Sequence, residues 1–137
     1  MVNSNYNVNY TKEQIEVILD IIKKCVKDDN YTISQNERRQ ENIELITNYN
    51  LNRQKQKEIL MKIQSEDFCY SLQNDHIKYQ HEVLYVFCPQ VMLYNLDDKE
   101  EQVDIYAKFN IIDINNLKKV IVISFHKRNN PIKYLFR

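Results

Sequence analysis

Apolar residues recur at helical spacing in the first half of the chain. Thr11 and Gln14 match a capping box in front of the first such segment. Ser34 and Glu37 match the same motif before a second helix, and a third helix is predicted from about Asn52. Each predicted helix has one apolar stripe, which is typical of a helix that packs on a core.

From residue 82 onward, the spacing of apolar residues changes from helical to alternating. The segment 82–88 is rich in β-branched and aromatic residues, which predicts a strand that ends at Pro89. Apolar and polar residues alternate over 103–111, and the apolar segment 119–127 follows after a turn-forming DINN sequence. The sequence therefore predicts an α+β domain, with N-terminal helices packed on a C-terminal, mainly antiparallel sheet.

The length of 137 residues fits a single folded domain. Residues 1–10 are mostly polar and predict a disordered or loosely packed tail, so that the domain covers 11–137. The sequence has neither an apolar stretch near the length of a membrane span nor a secretion signal at its start. We therefore expect a cytoplasmic protein with no membrane partner.

Composition and residue spacing argue against glycine-rich phosphate loops and against metal sites. The chain has no glycine, so the glycine-rich loops that hold phosphates in P-loop and Rossmann proteins are excluded. Cys25, Cys69 and Cys88 lie far apart, without a CxxC pair. His76 and His81 lack the spacing that places two ligands on one helix face. Neither a metal site nor a cofactor is predicted.

Charge is unevenly distributed, although the formal net charge is zero. After Asp113 the chain has several cations and no acid. Cations bind phosphate groups, and aromatic rings stack on unpaired bases. Lys78 could add an RNA contact or belong to a plain polar loop. The C-terminal candidates for RNA binding are Lys127, Arg128, Lys133, Tyr134 and Arg137.

The predicted hairpin brings four polar side chains to one face of the sheet. With a turn centred at 114–115 and no bulge, Tyr106 lies opposite Ser124, and Asp104 lies opposite His126. Polar residues on the outer face of a two-layer protein are expected in any case, so alternation alone does not indicate a site. The residues that share this face are Tyr106, Lys108, Ser124 and His126.

These residue types fit the cleavage of RNA without a metal. The reaction needs a base for the 2′-hydroxyl proton, a cation for the charge on phosphorus, and an acid for the leaving 5′-oxygen. His126 could act as base or acid, because an imidazole titrates near neutral pH. Lys108 would supply charge, Tyr106 could orient the 2′-hydroxyl or share the proton transfer, and Ser124 would contact the RNA.

Five stretches resemble the MqsR family of type II toxins, in particular its Gram-positive branch. They are NYTISQNERRQENIELITNYNL, KEILMKIQSEDF, EVLYVF, VDIYAKF and VIVISFHK, in this order, and the resemblance covers about residues 11–137. It implies a RelE-like α+β fold and an activity that cleaves mRNA and so stops translation. It also implies a cognate antitoxin, encoded nearby, that masks the active face, and the ribosome is a further candidate partner.

The resemblance also implies roles for individual residues. The family's strand tyrosine falls on Tyr106, the lysine two residues later on Lys108, and the residue after its SF motif on His126. Better-known members have lysines at the positions of His126 and Tyr70, and a glutamine at the position of Leu84. Replacing a fixed cation by His126 would move the chemistry towards acid–base catalysis.

The leading hypothesis is a type II toxin that acts as an mRNA interferase, an endoribonuclease that cuts single-stranded mRNA without a metal or cofactor. Two other hypotheses remain open. A non-catalytic interaction protein with this fold, such as a defence or counter-defence component, would bind a protein and leave RNA intact. A plain RNA-binding protein would bind RNA with an affinity that falls with salt, and would not cut it.

Overall fold

A computed structural model describes residues 6–74 and 82–137. Within these residues, no helix is long and apolar enough to cross a membrane. The described part contains, in chain order, α1 (Lys12–Lys27), β1 (Tyr31–Ile33), a 3-10 turn (Glu37–Arg39), α2 (Gln40–Asn48), α3 (Arg53–Met61), a second 3-10 turn (Ser65–Asp67), β2 (Phe68–Gln73), β3 (Val83–Phe87), β4 (Gln90–Tyr94), β5 (Glu100–Ile114) and β6 (Leu117–Lys127).

The strands form one mixed sheet in the order β1, β6, β5, β3, β2. β1 pairs parallel to β6, and the other pairs are antiparallel. The long strand β5 pairs with β4 along its first part and with β3 further on. The prediction of N-terminal helices on a C-terminal, mainly antiparallel sheet is therefore confirmed.

The main core lies between the helices and one face of the sheet. The predicted apolar row of β5 faces it, since Val103, Ile105, Ala107 and Phe109 are at most 2% exposed. From α1, Ile15, Leu19, Ile22, Cys25 and Val26 are buried in the same cluster. The alternating and helical patterns of the sequence thus correspond to the two sides of one core.

Two helix starts agree with the sequence pattern and one does not. Thr11 forms the predicted capping box of α1, and Asn52 caps α3. The prediction of a capping box at Ser34 and Glu37 is wrong. The backbone N–H of Ser34 instead bonds to β6, so this residue continues the pairing of β1, and Asn36 caps the 3-10 turn that leads into α2.

Part of the predicted N-terminal tail is attached to the sheet. Asn7 forms an antiparallel bridge with Ser71 at the outer edge of β2. The hydroxyl groups of Tyr10 and Ser71 lie 2.7 Å apart. Residues 6–10 therefore lie against the folded domain, and residues 1–5 are outside the described residues.

The register of the β5–β6 hairpin differs from the prediction at two places. The turn lies at 115–116, where two asparagines adopt positive φ and Ile114 pairs with Leu117. This shift alone would set Tyr106 opposite Phe125. The pairing then slips by one residue, so that Tyr106 lies opposite His126. The predicted Tyr106–Ser124 and Asp104–His126 pairs, which assumed that no bulge intervenes, are therefore wrong.

The bulge at Ile123 determines which face the end of β6 presents. Val122 and Phe125 are both fully buried in the main core, although an odd spacing would place them on opposite faces of a regular strand. The extra residue reverses the alternation between them. Ser124 and His126 consequently share the other face of the sheet with Tyr106.

Candidate functional site

A cleft of about 790 Å³ lies on the face of the sheet that points away from the main core. Its floor is built from β2, β5 and β6, and a wall is formed by the C-terminal segment 129–135. Four floor residues are those that the sequence placed on one face, namely Tyr106, Lys108, Ser124 and His126. Both register differences shift the pairing by one residue in the same direction, and the total of two residues keeps these side chains on one face.

His126 is held in a defined orientation. Its ring stacks on Tyr106, with centroids 5.5 Å apart and an angle of 20° between the planes. Its Nδ1 lies 2.8 Å from the carbonyl oxygen of Lys127 and 3.7 Å from Oε2 of Glu41. In the neutral ring, a proton on Nδ1 donates to this carbonyl, which leaves the lone pair on Nε2. This tautomer can accept a proton from a ligand.

Tyr70 and Tyr106 form a linked pair of phenols in the cleft. Their hydroxyl oxygens are 3.0 Å apart, so one phenol donates to the other and the acceptor's own hydrogen remains able to bond a ligand. Burial is the main cause that raises the pKa of both phenols above the usual value. Both therefore stay protonated at neutral pH and act as hydrogen-bond donors.

The described lining of the cleft carries positive charge. Arg39, Lys108 and Lys133 line it, and the described lining residues include no acid. Glu41 lies at the rim, where its Oε2 accepts a hydrogen bond of 2.7 Å from Asn129. Positive charge in a concave, partly dry surface favours a phosphate group over a neutral ligand.

Two of the C-terminal candidates for RNA binding line the cleft. They are Lys133 and Tyr134. The Tyr134 hydroxyl donates to the carbonyl of Cys88 at 2.6 Å, so its hydrogen is not available to a ligand. Lys78 lies outside the described residues, as do His76 and His81.

The other three candidates lie outside this cleft, and each pairs with an acid from an earlier segment. The pairs are Lys127 with Glu101 at 3.9 Å, Arg128 with Asp104 at 3.3 Å and Arg137 with Asp67 at 2.8 Å. Lys127 also lies over the ring of Tyr49, on the face of the sheet that carries the helices. The structure places these three cations outside the cleft, and their contact with RNA stays a prediction.

Several residues of the site were not predicted from the sequence. Tyr70 lies in the floor, and only the resemblance pointed to its position, as that of a family lysine. Arg39 and Tyr6 also line the cleft, and neither residue was singled out in the sequence. Asn42 supports the site from α2, because its side chain bonds to the Ile123 carbonyl and the Phe125 N–H, on either side of Ser124.

Comparisons of this chain with protein-family models, with curated proteins and with solved structures find no match. The resemblance to the MqsR family therefore stays a prediction that depends on the quoted residues. Leu84, at the position of the family's glutamine, is buried at 6% exposure and pairs with Leu72 and Asn110. An apolar residue there cannot replace the hydrogen bonds of a glutamine.

Proposed function

We propose that this chain is an endoribonuclease toxin of the MqsR and RelE type, which cuts single-stranded mRNA through its 2′-hydroxyl. The observation that supports this best is the stacked pair of His126 and Tyr106 in a cleft lined by cations. A base and a cation within one concave site are two of the parts that metal-independent cleavage requires, and the Tyr106 phenol adds a hydrogen-bond donor. The cytoplasm, where mRNA is translated, is the proposed place of action.

In the proposed reaction, Nε2 of His126 takes the proton of the 2′-hydroxyl. The hydrogen bond from Nδ1 to the Lys127 carbonyl favours the tautomer that this step needs. The 2′-oxygen attacks phosphorus and the bond to the 5′-oxygen breaks. The products are a 2′,3′-cyclic phosphate and a 5′-hydroxyl end, whose proton comes from Lys108 or from water.

Tyr106 and Lys108 stabilise the charge that develops on the phosphate oxygens. Burial keeps the pKa of Tyr106 above its usual value, so the phenol donates a hydrogen bond and does not act as the base. Lys108 is the next residue along β5 on the same face and lies opposite Ser124. The division of roles is thus a base from β6 and electrostatic groups from β5.

A cognate antitoxin is the proposed protein partner, and the ribosome is a further one. Both proposals rest on the resemblance to the MqsR family. An antitoxin that covers the cleft would block access of RNA to His126, and its binding would then protect residues of the cleft wall from hydrogen exchange.

The test uses purified wild-type protein, His126→Ala and the matched control Lys127→Ala, each incubated with a defined mRNA in the presence of a chelator. Cut sites are mapped by primer extension, with and without ribosomes. Lys127 is adjacent in sequence and its side chain lies on the opposite face, so this control should still cut at the wild-type sites. Loss of the base should slow cleavage by about 100-fold or more. Full activity of His126→Ala would remove His126 from the mechanism.

A second pair of variants tests the phenol. Tyr106→Phe removes only the hydroxyl and should lower the rate about 10- to 1,000-fold, as loss of one transition-state hydrogen bond does. Tyr94→Phe is the control, since Tyr94 is 61% exposed on β4. Binding of RNA by the wild type without any cut would instead support the plain RNA-binding hypothesis.

A further inference from the structure

A tyrosine of the N-terminal segment covers part of the cleft. Tyr6 stacks on Tyr70 with ring centroids 4.2 Å apart and an angle of 14° between the planes. The hydroxyl of Tyr70 contacts that of Tyr106, and the ring of Tyr106 stacks on His126. Four aromatic side chains therefore form a continuous row that ends at the proposed base, and Tyr6 is the outermost of them.

The attachment of Tyr6 is weak. Asn7 and Ser71 exchange two backbone hydrogen bonds of 2.9 Å, which form a single bridge at the edge of β2. Tyr6 is 44% exposed and Val8 is 53% exposed, so these residues bury little apolar surface. The firmer anchor is Tyr10, which packs on the main core. A segment with few buried contacts opens at a small free-energy cost, so Tyr6 can leave the cleft while the domain stays folded.

We propose that the ring of Tyr70 is a nucleobase-binding site, which Tyr6 occupies in the free protein and an unpaired RNA base occupies in the complex. Near-parallel stacking is the geometry in which bases bind to aromatic side chains. Arg39 and Lys133 line the same cleft and can bind phosphates of the same RNA strand.

This inference rests on the proposed function and adds a subsite to it. Stacking accepts any base, because every base has a π face, but the base must be unpaired. The site therefore selects single-stranded RNA over a duplex without fixing a sequence. Tyr6 competes for this site, so its removal should strengthen RNA binding, whereas removal of the Tyr70 ring should weaken it.

The expected changes follow from the strength of aromatic stacking. Tyr6→Ala removes the stack that competes with the RNA base, and one aromatic pair changes an equilibrium constant about two- to tenfold. The affinity for RNA should therefore rise by about the same factor. Tyr70→Leu keeps apolar volume but removes the ring, and should lower the affinity at least about fivefold. Tyr6→Phe keeps the stack and should bind like the wild type.

The probe is a short single-stranded 2′-O-methyl RNA that contains one 2-aminopurine and resists cleavage. Affinity is measured with the full chain by fluorescence anisotropy, and stacking by quenching of the 2-aminopurine. Tyr94→Ala is the control for a tyrosine outside this cleft. Thermal unfolding of each variant confirms that it is folded. We expect the quenching of 2-aminopurine to be lost in Tyr70→Leu and retained in Tyr6→Ala.

An affinity that falls or stays constant in Tyr6→Ala would overturn this inference, because Tyr6 would then belong to the binding surface or have no effect on it. The proposed function would survive that result if the wild type still cleaved ordinary RNA. Absence of both binding and cleavage by the wild type would overturn the two proposals together.

Discussion

Replacement of Asn42 should destabilise the fold and disturb the site at the same time. Asn42 is fully buried, and its Oδ1 accepts a hydrogen bond of 2.8 Å from the N–H of Phe125. Its Nδ2 donates to the carbonyls of Ser34 and Ile123, both at 2.9 Å. The side chain thus takes the place of a neighbouring strand at the bulge, where regular pairing is interrupted.

The cost of Asn42→Ala follows from these three contacts. Each buried polar group that loses its partner costs about 1–3 kcal/mol. Because the surrounding backbone can relax in part, we expect the free energy of unfolding to fall by about 3–5 kcal/mol. For a chain of 137 residues, 1 kcal/mol corresponds to about 3–4 °C in melting temperature, so the midpoint should fall by about 10–20 °C.

Urea and thermal unfolding, followed by circular dichroism, measure this loss. Asn48→Ala is the matched control, because Asn48 is an exposed residue at the end of the same helix. Its effect should stay within about 0.5 kcal/mol. A similarly small effect of Asn42→Ala would refute the role of Asn42 at the bulge. RNA cleavage by the folded fraction of Asn42→Ala should also fall, since the register that sets His126 opposite Tyr106 would be less well defined.

Three further predictions follow. Burial raises the pKa of Cys69 to about 12 and that of Cys88 to about 11. Iodoacetamide at pH 8.5 should therefore modify these thiols only after unfolding. Rapid modification of the native protein would contradict this prediction. Unfolded thiols ionise near pH 8.5 while the folded ones keep their protons, so the free energy of unfolding should fall as the pH rises from about 8.5 towards 11, which urea titrations at several pH values would detect. Arg137→Ala removes the pair with Asp67 that anchors the cleft wall. Hydrogen exchange at the N–H of Leu135, which donates to β2, should then become about three- to tenfold faster. An unchanged rate would show that the wall is held by other contacts.

The sequence pattern predicted the parts of the fold that depend on periodicity. The apolar rows of α1 and β5 needed only the spacing of residues along one element, and both face the core. Register was not predictable in this way, because it depends on a turn and a bulge that each involve one or two residues. The bulge at Ile123 in turn needs Asn42, which is distant in the sequence and carries no signal of that role.

The same limit applies to charge. The absence of acids after Asp113 suggested a basic surface, yet Arg128 and Arg137 pair with acids that precede them by many residues. Long-range ion pairs of this kind cannot be seen in a local count of charges. Lys108 and Lys133 were identified from the sequence and do line the cleft, whereas Arg39 and Tyr6 were brought there only by the tertiary fold.

The most direct test of the proposed function is a cleavage assay on two RNAs that differ only at the mapped cut site, where one carries a ribose and the other a 2′-O-methyl ribose. Cleavage through the 2′-hydroxyl predicts that the wild type, with chelator present, cuts the first into a 2′,3′-cyclic phosphate and a 5′-hydroxyl end and leaves the second intact. Equal cutting of both RNAs, or no cutting of either in the presence of ribosomes, would contradict the role assigned to His126 and the cleft.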